Sequence, residues 1–329
     1  METILTTNPT LPPGFTLRAA TWNDLEPVAD LIRAVCEADG DPDDAVPASE
    51  IKSEWEANFD LETDVWVVTD PTGKVVGYEE FFARPGHVSL QGDGYVHPKF
   101  KGLGIGTALL HTLETRARRE MEKAAPDLRV FIRNFMTVGD EKGRALHEAA
   151  GFQPVRYNWS MRINLETAPA KPVFPPGVEI RPFNEAEHLY PVYEAITESF
   201  LDHWGFIKPT FEDWKEHRLA PDRYYPDLWF VAWAGDQIAG ASICRYRNGI
   251  GWVWTLGVRR PWRKQGLGMA LLLHSFNEFY RRGQPVIGLG VDASNPTGAT
   301  RLYERAGMRI ETEYVCYEKE LRPGRELEE

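Results

Sequence analysis

Cysteine is scarce. The three in 329 residues, Cys36, Cys244 and Cys316, are odd in number and widely scattered, so they build no full disulfide framework and lack the close spacing of metal ligands. No metal site is expected, and a reducing cytoplasm is the compartment that fits. Positive charge is in deficit as well: 37 Lys and Arg against 49 Asp and Glu leave a formal net charge of −12. That balance repels nucleic acid and anionic lipid, so neither is an expected partner. It is compatible with a cationic, amine-bearing substrate, although acidic surfaces mostly serve solubility. Long apolar runs are missing too: no stretch reaches the roughly 18 residues of a membrane span, and nothing before Thr16 joins a basic flank to an apolar core. Secretion and membrane insertion are therefore not expected. What remains, 43% hydrophobic and 26% charged residues, is an ordinary soluble composition, long enough for about two domains.

The chain repeats itself. Leu11-Pro-Pro-Gly-Phe-Thr-Leu-Arg18 returns as Phe174-Pro-Pro-Gly-Val-Glu-Ile-Arg181, and an offset of 163 residues separates Arg18 from Arg181, Trp66 from Trp229 and Gly77 from Gly240. The offset falls to 162 between Val96 and Val258 and to 156 between Gly151 and Gly307. A repeat this long is a duplicated domain, not a solenoid. The halves are expected at 14–166 and 178–322, joined by a proline-rich, semi-rigid linker over 167–177. Each reads as strand, helices, a run of hairpin-linked strands, a glycine turn, a long helix, strand, helix and a last strand. In the first half that last strand follows Phe152. This order gives an α+β layered fold, a mostly antiparallel mixed sheet flanked by helices.

The most informative stretch is Val258-Arg-Arg-Pro-Trp-Arg-Lys-Gln-Gly-Leu-Gly-Met-Ala270. A β-branched and aromatic strand precedes it and an apolar-faced helix follows. The glycines thus sit where a strand turns into a helix, with the helix's first unpaired amides available to an anion. Arg259, Arg260, Arg263 and Lys264 place four cations nearby. No Gly-Lys-Ser/Thr follows, which excludes a Walker A loop, and Leu271 stands where a dinucleotide fingerprint needs its third glycine. Further on, Asn295 before Pro296 reads as a helix N-cap and Gly307 as the helix stop, with Tyr303 about two turns in.

Arg263-x-x-Gly266-x-Gly268 after a strand resembles the acyl-CoA pyrophosphate loop of the GNAT superfamily of N-acyltransferases, and the element order matches that fold over nearly the whole chain, twice. The resemblance implies acetyl-CoA as co-substrate. It implies that the backbone of Leu256 and Val258 pairs with the pantetheine arm. Arg263, Lys264, Gln265, Gly266, Leu267, Gly268 and Met269 then hold the pyrophosphate, Asn295 contacts the cofactor, and Tyr303 protonates the departing thiolate. The strand before the loop offers Trp252, Trp254 and Thr255 in place of the family's Glu, so the base is unassigned. His203, in a segment bordering the acceptor cleft, is one candidate and a water chain another.

The first half keeps Val96, Lys101, Gly102, Leu103, Gly104 and Gly106, but Gly139 and His147 replace Asn295 and Tyr303. It is expected to be non-catalytic and to hold cofactor at most. The duplicated architecture resembles mycothiol synthase-like tandem members, in which the second domain does the chemistry. The expected function is acetyl transfer to a primary amine of a small molecule, by a monomer whose halves form a pseudo-dimer. The alternatives are a non-enzymatic acyl-CoA-binding or regulatory protein and a protein-modifying acetyltransferase.

Overall fold

The computed structural model describes residues 10–327 except Pro296. In chain order the elements of the first sequence half are β1 (Thr16–Ala19), α1 (Leu25–Asp39), α2 (Ala48–Asn58), β2 (Val65–Thr69), β3 (Val75–Ala83), β4 (Ser89–Val96), α3 (Ile105–Met121), β5 (Val130–Thr137), α4 (Glu141–Ala149) and β6 (Gln153–Asn164). Those of the second are β7 (Val178–Arg181), α5 (Glu185–Phe200), α6 (Phe211–Leu219), β8 (Trp229–Ala234), β9 (Gln237–Arg247), β10 (Ile250–Val258), α7 (Leu267–Arg281), β11 (Val286–Asp292), α8 (Ala299–Arg305) and β12 (Arg309–Arg322). Asp70-Pro-Thr-Gly73 makes the tight hairpin turn between β2 and β3: Asp70 Oδ1 accepts from the amides of Thr72 at 2.8 Å and Lys74 at 3.1 Å, and Gly73 takes φ +87°.

Two compact units form, residues 10–158 with 312–327 and residues 159–311. They differ from the sequence halves in one respect. The strand that completes the first unit is β12, running antiparallel to β5 from Tyr314 opposite Thr137 to Arg322 opposite Val130. β6 divides at Asn158, and its residues 159–164 belong to the second unit, next to β11 in strand order. The two last strands follow matching turns in the two repeats, so each suits the slot that sequence order assigns to the other.

In the first unit the strand order is β1-β2-β3-β4-β5-β12, antiparallel except for the parallel pair β4–β5. Apolar positions of α1 and α2, among them Val28, Leu31, Ile32, Ile51 and Trp55, pack with Val65, Val67 and Tyr78 on one side. Leu110 and Leu113 of α3 pack with Leu90, Ile132 and Tyr317 on the other. The second unit has the order β6-β11-β10-β9-β8-β7, and among the neighbours β7 to β11 the β10–β11 pair is parallel and the others antiparallel. Leu271, Leu272, Phe276 and Phe279 of α7 cover one face, and Val192, Ile196 and Trp214 of α5 and α6 cover the other. The proline-rich linker is anchored: Phe174 packs on the α7 side and Asn277 donates to the Ala170 carbonyl at 2.9 Å.

In each unit the parallel pair parts early. Among the described residues β4 and β5 pair from Ser89 to Gly92, leaving 93–96 without a neighbour on that edge, and β10 pairs with β11 at Gly251 and Trp252 only. A bulge between Val253 and Thr255 marks the parting in β10. Bulges bend a strand and raise its local twist, which opens the gap.

Candidate functional site

The glycine turns stand at the mouths of these two openings and share one backbone path. Gly104 (φ +82°) caps α3 and Gly266 (φ +88°) caps α7. Two residues earlier Gly102 (φ +96°) and Lys264 (φ +61°) are also left-handed. The following glycines have another purpose. A Cβ on Gly106 would lie 3.0 Å from Leu146, and one on Gly268 would lie 3.0 Å from Leu302, so they admit α4 and α8 against the helix starts. Gly266 has open space around it and is needed for its conformation. The first bond into each helix runs from Ala108 to the Gly104 carbonyl and from Ala270 to the Gly266 carbonyl. The amides of Ile105, Gly106 and Thr107, and of Leu267, Gly268 and Met269, are therefore left as orphan donors, the arrangement that suits a pyrophosphate.

Three of the four cations near Gly266 are already engaged. Arg259 donates to Glu198 at 2.6 Å and Arg260 pairs with Asp202. Arg263 reaches the Val258 carbonyl at 3.0 Å, the Ser199 carbonyl at 3.0 Å and Asp202 at 2.8 Å. Arg263 is thus a clasp holding the loop to β10 and the end of α5, and these two guanidiniums hold the Asp202 carboxyl down at about 2. Lys101, its counterpart, is tied to Asp140 at 3.0 Å. Because Arg259 N–H donates to Ala239 on β9, strand alternation turns the amides of Leu256 and Val258 toward the opening. His97 N–H donates to Val76 in the first unit, so Val96 is placed the same way. Leu103 is exposed at its turn, and Gln265 donates to the Pro261 carbonyl at 2.9 Å.

Asn295 does not cap α8, as the sequence suggested. The helix starts at Ala299 behind Gly298, and Asn295 Oδ1 instead accepts from Thr297 N at 2.9 Å in a turn before it. Pro296 lies outside the described residues. Tyr303 is buried in the α7-side core with Leu267, Leu271 and Val291, and its hydroxyl has no partner among the described residues. Burial pushes its phenol up to about 12. His203 lies in the turn after α5, not on a helix. It rests on Phe200 with ring centroids 4.4 Å apart. Burial lowers its pKa, while the nearby Asp292, at the end of β11, opposes that shift. A neutral imidazole there can accept a proton. At the β10 bulge Trp254 carries Arg218 and Arg245 over its ring at 4.0 and 4.6 Å, so this region is electropositive where the family places a carboxylate.

The first unit holds what the sequence reading missed. A cavity of about 840 Å³ runs from the Gly102–Gly104 turn past Val96 and Thr107 to Asp93, Glu79 and Asn134. His147 lines it too, but not as an acid: its Nδ1 is 2.9 Å from the Gly143 carbonyl. A carbonyl only accepts, so Nδ1 carries the proton, Nε2 presents a lone pair, and burial lowers the ring's pKa. The legible signal was a Glu79-Glu80 pair inside the apolar run Val75-Val-Gly-Tyr-Glu-Glu-Phe-Phe82, and Asp93 between two glycines.

Known proteins share this arrangement. Residues 189–308 match the model of the acetyltransferase (GNAT) family and residues 62–154 that of an acetyltransferase (GNAT) domain. The crystal structure of a GCN5-related N-acetyltransferase from Sphaerobacter thermophilus is 38% identical, with a TM-score of 0.84 over 97% of this chain and 99% of that one. A mycothiol acetyltransferase of Thermomonospora curvata is 30% identical over 75% of this chain and 79% of its own. One of Catenulispora acidiphila is 26% identical over 87% and 94%. A tandem GNAT protein from the clavulanic acid biosynthesis pathway, 18% identical with a TM-score of 0.71 over 94% of this chain, shares the fold. Two split sheets with left-handed glycine turns, found along a duplicated chain with these relatives, make it a tandem member of the GCN5-related N-acetyltransferase (GNAT) family, whose co-substrate is acetyl-CoA.

Proposed function

We propose that the protein transfers the acetyl group of acetyl-CoA to a primary amine of a small molecule, with transfer in the second unit. The observation that carries this reading is that one unit holds the Gly266 turn, the opening between β10 and β11, and a Tyr303 buried in the same core as Leu267 whose hydroxyl has no partner among the described residues. Acetyl-CoA supplies an activated thioester. The orphan amides of Leu267, Gly268 and Met269 bind its pyrophosphate, and the edge of Leu256 and Val258 aligns its arm. Tyr303 holds a proton for the leaving sulfur, and neutral His203 or a water chain takes one from the amine. The first-unit turn, with the same φ pattern at Gly102 and Gly104, is proposed to bind acetyl-CoA as well.

Calorimetric titration with acetyl-CoA and a thiol-release assay over a panel of small amines, polyamines and amino-sugar thiols test this. Gly266→Trp, which blocks close backbone approach, should weaken cofactor binding and remove second-unit transfer. Unchanged affinity would mean the site is misplaced. Tight binding with no turnover on any amine would favour the non-enzymatic acyl-CoA-binding alternative.

A further inference from the structure

The first-unit cavity carries chemistry that holding acetyl-CoA does not require. Three buried side-chain atoms that line it have no hydrogen-bond partner among the described residues: Glu79 Oε1, Asn134 Oδ1 and His147 Nε2. Their residues are only 3%, 4% and 9% exposed. Unmet buried acceptors are costly, so three in one cavity mark a place for a ligand that brings N–H donors. The backbone makes room for them: a Cβ on Gly94 would fall 2.3 Å from Glu79 Oε2 and one on Gly92 2.9 Å from Oε1. In the register of β3 and β4, Asp93 stands opposite Glu80. The Tyr95 hydroxyl donates to Asp93 at 3.0 Å and the Tyr78 hydroxyl donates to Glu80. Burial raises both pKa values, with Asp93 adding to the shift at Glu80 and Asp44 to that at Asp93, which suits proton exchange near neutrality. Asp39, Asp41 and Asp44 line the same cavity. Its lysines are Lys142 and Lys101, the latter 3.0 Å from Asp140 and 3.9 Å from Asp39. The cavity is therefore short of positive charge, yet no three His, Cys, Asp or Glu side chains among the described residues are grouped to hold a metal ion.

We infer that the first unit is a second acetyl-transfer site whose acceptor is a di- or polyamine. The expectation of a silent first half rests on Gly139 and His147. Asp93 escapes that comparison, because the 162-residue offset sets it against Thr255, which has no counterpart chemistry. One ammonium of the acceptor gives a proton to Asp93. The nitrogen's freed pair bonds the acetyl carbonyl carbon, the C–S bond breaks with its electrons leaving on sulfur, and the second N–H proton reaches that thiolate through water. Asp93 returns its proton to solvent, so the products are the amide, CoA thiol and one proton. Asp39, Asp41 and Asp44 hold the remote ammonium. The inference is independent of Tyr303: if the second-unit reading fails, turnover dependent on Asp93 remains.

Thiol release is measured with acetyl-CoA and spermidine, propane-1,3-diamine, propylamine or glycine. Wild type should use spermidine at least tenfold better than propylamine in kcat/KM. Asp93→Asn should lower kcat on spermidine at least a hundredfold, with acetyl-CoA affinity kept by calorimetry, and Asp93→Glu should recover part of it. Glu79→Gln should raise KM for spermidine about tenfold and leave that for acetyl-CoA unchanged. Asp93→Asn removes a crowded charge, so its Tm at pH 8 should not fall and misfolding is controlled. Turnover within twofold of wild type in Asp93→Asn, no preference for spermidine over propylamine, or spermidine binding without acetylation would each overturn the inference.

Discussion

Removing the Tyr303 hydroxyl tests the second-unit chemistry most directly. Tyr303→Phe keeps the ring that packs against Leu267 and Leu271 and deletes a group with no bonding partner among the described residues. Stability should therefore change by less than about 1 kcal/mol. The catalytic effect should be larger. A phenol at about 12 faces a thiolate whose ordinary pKa is about 8.5, so full proton transfer to the departed thiolate is uphill by roughly 3.5 pH units, or about 5 kcal/mol. The proposed acid role therefore requires Tyr303 to act as the sulfur becomes charged in the transition state. Positioned acids acting in this way contribute about 10² to 10⁴. We expect kcat and kcat/KM for a second-unit acceptor to fall together by roughly 10² to 10³, with acetyl-CoA Kd unchanged. Because the phenol stays protonated, Tyr303 should add no alkaline limb to the rate profile below about pH 10. The assay is thiol release on whichever amine the panel identifies, paired with calorimetry. Near-native kcat would refute the acid role, and a raised Kd with kcat intact would make Tyr303 a binding residue.

Gly266→Ala and Gly268→Ala should fail differently. The first forces an alanine to φ +88° in open space, a strain of about 1–2 kcal/mol, and should raise KM for acetyl-CoA. The second sets a Cβ 3.0 Å from Leu302 and should instead lower Tm, which thermal melts will separate from KM. Arg263→Lys cannot span Val258, Ser199 and Asp202 at once, so KM for acetyl-CoA should rise about tenfold with kcat held. Arg281 and Arg282 hold the Glu278 carboxyl down at about 2 against an ordinary 4.5. A depressed carboxylate stabilises above its unfolded value and loses that contribution as pH falls from 4.5 toward 2. Glu278→Gln should thus melt lower than wild type at pH 6 and converge with it near pH 2. Equal melting at pH 6 would remove this pair from the account.

The sequence alone determined the duplication, the mixed sheet with its helices and the two glycine turns. All of these rest on local rules: strand and helix periodicity, the need for glycine at a left-handed turn, and a constant offset between repeats. Tertiary structure alone decided the rest. Offsets do not say which sheet a last strand joins, so residues 312–322 complete the first unit although the repeat assigned them to the second. Capping chemistry does not say which of several turns becomes the helix, so Gly298 and not Asn295 precedes α8. Arginines read as cations beside the helix amides became a clasp once α5 and the turn after it delivered Glu198 and Asp202 to them. The acidic cavity was invisible because its acceptors come from separate strands and helices. Glu79, Asp93, Asn134 and His147 lie on separate elements, and only the packing of β3, β4, β5 and α4 gathers them around one cavity, where burial shifts the proton affinities of the three titratable ones.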